Sequence, residues 1–337
     1  MEPQINSENR FLLNIKNLKT YFFIPEGTVK AVDDVSFHVK EAEIVGLVGE
    51  SGCGKSVTAL SILGLIPWSP GRIIGGQIIF QGEDLRKIGP QKLREIRGNK
   101  ISMIFQEPMT SLNPVYTIGR QIAEVYMEHQ GSPKKEALER AIEMLDKLGI
   151  PSPSKRVHEY PHNLSGGMRQ RVMTAMALAC NPELILADEP TTALDVTIQA
   201  QILELIAELQ QTLSTSILLI THNLSIIAEY AQRVIVMYSG KIVEEAPVVP
   251  MFEEPLHPYT IGLLGSIPKL GAKAMGGKQR LSEIPGMVPS VNDLPQGCYF
   301  HPRCARARAI CRREEPELIE IAPGRRIACW AAADGWE

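Results

Sequence analysis

Short apolar stretches separated by turn residues dominate the first fifty positions of the chain. The segments LLNIKNL, AVDDVSFHV and EIVGLVG are rich in β-branched residues, which favours strands. The third segment runs directly into a glycine-rich turn and then TALSILGLI, a predicted apolar helix. Further along, ELILAD and SILLITH predict buried strands on either side of the predicted helix TIQAQILELIAELQQTL. Strands that alternate with helices predict a parallel sheet covered by helices on both faces.

The pattern becomes helical from about residue 120 to 150, where apolar residues recur at intervals of three and four. Gly149, with Pro151 just beyond it, marks the predicted end of this helical region. After about residue 250 the chain becomes rich in Pro and Gly, which indicates a linker and a small appended module. We therefore predict two domains, residues 1–250 and 251–337.

The composition narrows the function classes. The 337 residues include 35 Lys plus Arg and 38 Asp plus Glu, for a net charge of −3. A protein that coats nucleic acid needs a basic surface, so we expect no nucleic-acid partner. No apolar run approaches the roughly 18 residues that span a bilayer, and the first residues lack the features of a signal peptide. A reducing, cytoplasmic setting is the default expectation, and there clustered cysteines suggest metal before disulfides.

Residues 49–56 read GESGCGKS and fit the pattern G-x-x-x-x-G-K-[ST] between a predicted strand and a predicted helix. Glycines let the main chain wrap a phosphate with its N–H groups inward, and the helix N-terminus adds a positive end. We expect Lys55 to contact the β- and γ-phosphates of ATP and Ser56 to offer its hydroxyl to Mg²⁺. The predicted nucleotide-binding residues here are Gly49, Ser51, Gly52, Cys53, Gly54, Lys55, Ser56 and Val57, the Cys53 thiol being incidental.

The predicted strand LILAD delivers two adjacent carboxylates, Asp188 and Glu189, to its carboxyl end. Ligands of open α/β sheets bind at that edge. We expect Asp188 to hold hydrated Mg²⁺ and Glu189 to orient or deprotonate the water that attacks the γ-phosphate. Together with the phosphate loop, this pair predicts ATP hydrolysis.

The segment LSGGMRQR, residues 164–171, distinguishes among ATPases, and here the sequence resembles the ATP-binding subunits of ABC transporters. Ser165, Gly166 and Gly167 match the signature loop of that family, which caps ATP bound by a partner subunit. A serine hydroxyl and glycine N–H groups at a helix N-terminus suit this role, because they form a second phosphate cradle.

Other motifs follow in family order. The resemblance implies that Gln106 contacts Mg²⁺ and links to the transmembrane partner. It implies that Asp195 crosses the dimer seam and that His222 contacts the γ-phosphate. It also implies that Tyr21, which is followed by two phenylalanines, stacks on adenine.

The fold implied by the resemblance is α/β. It comprises an ABC-type P-loop ATPase core, with a RecA-like parallel sheet, an antiparallel β subdomain and a helical subdomain at about 107–180. A small cysteine-rich C-terminal extension follows this core.

The tail narrows the family. HPYTIGLL and GCYFHPRC, with two further cysteines, resemble the C-terminal extension of dipeptide and oligopeptide importer ATPases, to which nickel importers are close. The resemblance implies an ATPase that powers import through two transmembrane permease subunits and pairs with a second, non-identical ATPase. A substrate-binding protein outside the membrane would deliver the cargo, and this chain would lie at the cytoplasmic face of the inner membrane. A nickel-importer ATPase and a soluble ABC ATPase without transport are the open alternatives.

Four cysteines are crowded into the tail, with five, six and seventeen residues between them: Cys298, Cys304, Cys311 and Cys329. Structural zinc usually uses pairs two to four residues apart. Four thiolates are also the ligand set of a [4Fe–4S] cluster, and members of the resembling family carry one in this extension. We predict a [4Fe–4S] cluster, with Zn²⁺ or reduced thiols without metal as alternatives.

Overall fold

The structure is a computed structural model that describes residues 11–190, 196–267, 284–290 and 292–333. Its strands are β1 (Leu13–Ile24), β2 (Gly27–Val39), β3 (Ile44–Val48), β4 (Gly71–Phe80), β5 (Glu83–Asp84), β6 (Ile101–Ile104), β7 (Leu184–Asp188), β8 (Ser216–Thr221), β9 (Arg233–Tyr238), β10 (Lys241–Pro247), β11 (Ile319–Ala322) and β12 (Arg325–Ile327). Its α-helices are α1 (Lys55–Ile62), α2 (Pro90–Ile96), α3 (Pro108–Ser111), α4 (Ile118–Gln130), α5 (Lys134–Lys147), α6 (Pro153–Arg156), α7 (Gly166–Leu178), α8 (Val196–Leu213), α9 (Leu224–Tyr230), α10 (Val248–Glu253), α11 (Pro258–Gly265) and α12 (Trp330–Ala333).

The chain divides into two compact units, each assembled from three segments. The first unit comprises Met1–Asn14, His38–Ile44 and Ile78–Ile220, and the second comprises Ile15–Phe37, Val45–Gln77 and Thr221–Glu337. Neither unit ends near residue 250, so the division into a nucleotide-binding domain and an extension stays a prediction. The tail after residue 250 belongs to the same unit as the phosphate loop.

The first unit contains the parallel strands β6, β7 and β8. Ile101 lies opposite Leu184, and Leu184 lies opposite Ser216 on the other side. All three strands are buried along their whole length, as expected for parallel strands covered on both faces. The predicted strands ELILAD and SILLITH are thereby confirmed.

Helices α4, α5 and α7 of the first unit pack on one another. Ala137, Ala141 and Leu145 form the buried stripe of α5 at a spacing of four residues. Gly149 follows α5 with a φ of 66°, and the N–H of Ile150 bonds back to the carbonyl of Leu145. This left-handed glycine ends the helix, as the sequence predicts.

The second unit contains β3, which pairs in parallel with β9, and β9 continues antiparallel to β10. Strand β10 pairs with β12, and β12 with β11, so residues of the tail extend the sheet at that edge. Strand β3 leads through the glycine-rich loop into α1, which confirms the predicted strand, turn and helix. In the described part of the chain, no helix combines the length and apolar character needed to cross a membrane.

Candidate functional site

The phosphate loop connects the buried strand β3 to α1 in the second unit. Lys55 is the first residue of α1, and its side chain is only 5% exposed. Its Nζ donates to the carbonyl oxygens of Gly49, at 2.8 Å, and Glu50, at 3.1 Å. The loop carbonyls thus hold the ammonium against the loop's own main chain, which is where a phosphate-binding loop needs its cation.

Two glycines of this loop occupy positions that no larger residue fits. Gly54 has a φ of 105°, and a Cβ there would lie 2.2 Å from the carbonyl oxygen of Ala31. A Cβ at Gly49 would lie 2.3 Å from the carbonyl oxygen of Met237. Both distances are far below van der Waals contact, so the close course of the main chain requires glycine.

The other loop residues differ in exposure. Ser51 and Gly52 are exposed, and Ser56 and Val57 are half-buried. Cys53 is buried, and this burial raises the pKa of its thiol, so the side chain stays neutral. Its carbonyl accepts the N–H of Gly240 at 2.9 Å. Cys53 therefore fixes the loop through its main chain, in keeping with the expectation that the thiol is incidental.

Glu189 follows β7 in the first unit with a φ of 45°, a left-handed conformation that costs a non-glycine residue about 1–2 kcal/mol. Its N–H donates to the carbonyl of Ile220 at 2.8 Å, which fixes this turn. The amide Nε2 of Gln106 donates to Oε2 of Glu189 at 3.1 Å. The structure thus brings together two sequence-predicted residues, and the strained backbone at Glu189 points to a functional constraint.

The predicted signature loop lies at the N-terminus of α7, also in the first unit. Ser165 caps this helix, its hydroxyl accepting the N–H of Met168 at 3.4 Å. Ser165 and Gly166 are exposed and Gly167 is half-buried, and a Cβ at Gly166 would meet no atom within 4 Å. The positive end of a 13-residue helix therefore faces open space, where an anion can approach.

Gln170, which sequence reasoning did not single out, joins this helix to the acidic strand. Its side chain is 1% exposed, and Nε2 donates to the carbonyl of Pro190 at 2.5 Å. Pro190 directly follows Glu189, so the signature helix is bonded to the chain beside the predicted base. The local pattern LSGGMRQR does not predict that Gln170 bonds to Pro190.

His222 and Asp195 are two further residues predicted from the sequence. His222 is exposed in the second unit, between Thr221 at the end of β8 and Asn223, which caps α9. Asp195 falls outside the described residues, so its predicted place at a dimer seam has no structural counterpart here. The positions of these residues do not test their roles, which stay predictions.

Tyr21 lies on β1 with its hydroxyl donating to the carboxylate of Asp33 at 2.5 Å. Thr20, one residue earlier and on the opposite face of the strand, is hydrogen-bonded to Ser61 of α1. Phe22 shares the face of Thr20 by the same alternation. The adenine-stacking role of Tyr21 stays a prediction, with Phe22 as the neighbouring aromatic on the face toward α1.

The donor set predicted for Mg²⁺ suits that ion. Ser56 supplies a hydroxyl, Gln106 an amide oxygen and Asp188 a carboxylate, and Asp188 is 4% exposed at the end of its strand. These are hard oxygen ligands of the kind that Mg²⁺ prefers over nitrogen or sulfur. These donor types suit a magnesium ion, and their joint role in holding one stays a prediction.

Comparison with known families and proteins decides the class of ATPase. Residues 32–192 match the ABC transporter family, and residues 243–311 match the family described as oligopeptide/dipeptide transporter, C-terminal region. The chain is 52% identical over 330 residues to the probable peptide ABC transporter ATP-binding protein y4tR of Sinorhizobium fredii, and this match covers 98% of each chain. This chain belongs to the peptide ABC transporter ATP-binding proteins. The resemblance predicted from the sequence is confirmed.

Further members of this family are similarly close. The oligopeptide transport ATP-binding protein AppD of Bacillus subtilis is 54% identical over 319 residues, which are 95% of this chain and 96% of AppD. The dipeptide transport ATP-binding protein DppD of Escherichia coli is 50% identical over 318 residues, 94% of this chain and 96% of DppD.

The fold agrees with solved structures of ATP-binding cassettes. The ATP-binding cassette MJ0796, solved as a dimer bound to ADP and Pi, matches with a TM-score of 0.64 at 28% identity and covers 70% of this chain and 98% of its own. The predicted ABC-type α/β core is therefore confirmed. The cysteine-rich extension is not covered by this confirmation.

The predicted [4Fe–4S] cluster is wrong. Over the described ranges, which include all four tail cysteines, no three His, Cys, Asp or Glu side chains are arranged to hold a metal ion. The four cysteines are free thiols. Burial raises the pKa of Cys298 to about 12 and also raises the pKa values of Cys304 and Cys329. Burial therefore favours the neutral form of these thiols.

The tail is built instead around an aromatic cluster in the second unit. Tyr238, at the end of β9, contacts Tyr259 and Phe300 with ring centroids 4.7 and 5.2 Å apart. His257 caps α11, its Nδ1 accepting the N–H of Tyr259 at 3.1 Å. Burial lowers the pKa of His257 to about 3, so a neutral imidazole is part of this core.

Because His257 is buried as a neutral imidazole, we expect the folded protein to lose stability in mild acid. The unfolded chain protonates this residue below pH 6.5, but the folded chain resists protonation until about pH 3. The neutral His257 therefore contributes fully to the free energy of unfolding above pH 6.5, and this contribution is lost as the pH falls toward 3. Between pH 7 and pH 5 the free energy of unfolding should fall by about 2 kcal/mol. Denaturant unfolding at both pH values measures it. His257→Asn keeps an acceptor for the Tyr259 N–H and should make the free energy of unfolding less dependent on pH. Replacement of the exposed His158 by Asn should leave the pH dependence unchanged. Equal pH dependence in the wild type and both variants would contradict the assignment to His257.

Proposed function

We propose that this chain binds and hydrolyses ATP to power the import of peptides across the cytoplasmic membrane through partner permease subunits. The observation that carries the proposal is the phosphate loop with its buried Lys55, in a chain similar over nearly its whole length to peptide transport ATP-binding proteins. The match of residues 243–311 to the oligopeptide/dipeptide transporter C-terminal region supports peptides as the cargo.

In the proposed mechanism, the loop N–H groups and Lys55 bind the triphosphate. Ser56, Gln106 and Asp188 would hold Mg²⁺, whose charge would offset that of the phosphates. Glu189 accepts a proton from the attacking water at a carboxylate oxygen. The Gln106 amide, 3.1 Å from that carboxylate, orients it. His222 steadies the γ-phosphate.

Pairing with a second ATPase subunit is part of the proposal. Ser165 and the exposed N-terminus of α7 offer hydrogen-bond donors to a phosphate that this chain does not bind itself. The dimeric state of the similar cassette MJ0796 supports such pairing. We propose a heterodimer of non-identical ATPases on two permease subunits at the inner membrane, with a substrate-binding protein acting outside it.

Deletion of the gene in the source organism tests the function. We expect uptake of labelled dipeptides or longer peptides to fall to background, and wild-type protein to restore it whereas the Lys55→Ala variant does not. Separate uptake assays with labelled di-, tri- and pentapeptides and with radioactive nickel identify the cargo. Loss of nickel uptake alone would assign the chain to a nickel importer, and unchanged uptake of all cargoes would favour a role outside transport.

A further inference from the structure

Glu50, the second residue of the phosphate loop, is held from two sides by the C-terminal tail. Its main-chain N–H donates to the Tyr259 hydroxyl at 2.9 Å. Its carboxylate pairs with Arg303, NH1 lying 2.7 Å from Oε2 and NH2 lying 3.1 Å from Oε1. Both partners are buried, Tyr259 at 0% and Arg303 at 7% exposure. Two tail residues more than 200 positions away therefore fix one residue of the nucleotide site.

Arg303 is itself held in place. Its Nε donates to the carbonyl of Pro285 at 3.1 Å, and its guanidinium lies 5.8 Å from the ring centre of Tyr238 and 6.0 Å from that of Phe300. Hydrogen bonding to Glu50 raises the pKa of Arg303. A planar guanidinium fixed in this way imposes the orientation of the carboxylate, which a lysine ammonium at the same place would not.

Tyr259 is equally constrained. It lies in the first turn of α11, and its ring packs on Tyr238 and Phe300 at 4.7 and 5.4 Å. Burial raises the pKa of its hydroxyl, so the group stays neutral while it accepts the N–H of Glu50. The two motifs of the tail, HPY and FHPRC, thus each contribute one contact to the same loop residue.

The contact reaches the phosphate-binding lysine through Glu50. The carbonyl of Glu50 accepts the Nζ of Lys55 at 3.1 Å. The Glu50 side chain also brings a negative charge into the loop that would receive a triphosphate, and the guanidinium of Arg303 offsets that charge. Glu50 is one of the unrestricted positions of the G-x-x-x-x-G-K-[ST] pattern, so the loop motif alone does not predict this contact.

We propose that Tyr259 and Arg303 are positioning residues for ATP binding, through which the C-terminal extension sets the conformation and charge of the phosphate loop at Glu50. This inference rests on the proposed function, because it assumes that the loop binds ATP. The extension therefore belongs to the ATP site as a support for its phosphate loop.

Calorimetric titration of the full chain with ATP and Mg²⁺ tests the proposal. Arg303→Met leaves the Glu50 charge without its partner and should weaken ATP binding about tenfold, since breaking one partner of a buried pair leaves an uncompensated charge. Arg303→Lys keeps the charge but loses the two-point contact, and should weaken binding about threefold. Tyr259→Phe removes only the acceptor for the Glu50 N–H and should also weaken binding about threefold.

The decisive variant is the double substitution Glu50→Gln with Arg303→Met. Removing the unpaired charge should raise the affinity about threefold above that of Arg303→Met, to roughly threefold below wild type. A tail that merely fails to fold would give no recovery. The Michaelis constant for ATP should rise with the dissociation constant, while kcat in the assembled transporter stays within about twofold, because the chemistry lies at Glu189.

The matched control comes from the same unit. Arg325→Met breaks the pair with Glu254, 3.3 Å apart; none of the hydrogen bonds to Glu50 involves Arg325, and this variant should bind ATP normally. Wild-type affinity in Arg303→Met and Tyr259→Phe, or an equal loss in Arg325→Met, would overturn the proposal. Retention of ATP binding by Lys55→Ala would instead overturn the proposed function, so the two failures are distinguishable.

Discussion

Replacement of Lys55 by Ala is expected to weaken ATP binding by about a hundredfold, from the loss of charge-assisted bonds worth about 3 kcal/mol. The Lys55 ammonium lies at the start of α1, buried and held by two loop carbonyls. It is a compact cation that the carbonyls of the loop hold in place. Without this ammonium, only the main-chain N–H groups of the loop and the N-terminus of α1 interact with the negative triphosphate. Calorimetric titration with ATP and Mg²⁺ measures the effect.

The control for this variant is Lys92→Ala. Lys92 is an exposed lysine on α2 whose Nζ lies 2.6 Å from Glu83, so it matches the charge change without touching the loop. Its affinity for ATP should equal that of the wild-type chain. Lys55→Arg is expected to bind as weakly as Lys55→Ala, because the longer planar guanidinium does not fit the space enclosed by the loop carbonyls. Wild-type binding in Lys55→Ala would contradict the assignment of the loop.

The phosphate loop was predictable from the sequence because all of its determinants are local. The apolar strand, the glycines and the lysine lie within fifteen positions, and each residue type is required by the main-chain path itself. Gly54 shows this directly, since a Cβ there would lie 2.2 Å from a carbonyl oxygen. The helix end at Gly149 was predictable for the same reason, as a left-handed residue followed by prolines.

Contacts between distant parts of the chain were not predictable. The pair of Arg303 with Glu50 spans 253 positions, and the bond from Gln170 to Pro190 joins two motifs that the sequence presents separately. The residue types at these positions are also compatible with exposed loops. Only the fold brings them together, which explains why the support of the phosphate loop is absent from the sequence reasoning.

For the tail cysteines, the sequence predicted a metal site that the structure contradicts. Four cysteines within about thirty residues predict a ligand set by count, and the resemblance strengthened that expectation. Count and spacing do not fix the directions of the side chains, and no three of the described His, Cys, Asp or Glu side chains are arranged as a metal site. In the described structure Cys298 has its pKa raised to about 12 by burial, and its N–H bonds to the carbonyl of Cys311. The tail folds around Tyr238, Tyr259 and Phe300 instead.

Replacement of Glu189 by Gln is expected to lower ATP hydrolysis at least a hundredfold while leaving ATP affinity within about twofold of wild type, since general-base catalysis contributes about 10²–10⁴ in rate. The left-handed turn at Glu189, closed by its N–H to Ile220, fixes where the carboxylate lies. Glutamine keeps the size and the acceptor for Gln106 but cannot take a proton. Steady-state phosphate release and calorimetry, carried out with the partner ATPase present, separate the two effects.

The matched control is Glu183→Gln, which removes a carboxylate just before the same strand, where Glu183 pairs with Lys100 at 3.5 Å. Hydrolysis in this control should stay at the wild-type rate. In Glu189→Gln the ATP-bound dimer with the partner ATPase should persist on size exclusion, because reopening requires hydrolysis. Normal hydrolysis in Glu189→Gln would show that another group activates the water, whereas lost ATP binding would show that Glu189 supports the nucleotide and not the chemistry. Only slow hydrolysis with intact binding agrees with a base held by its strained turn and by Gln106.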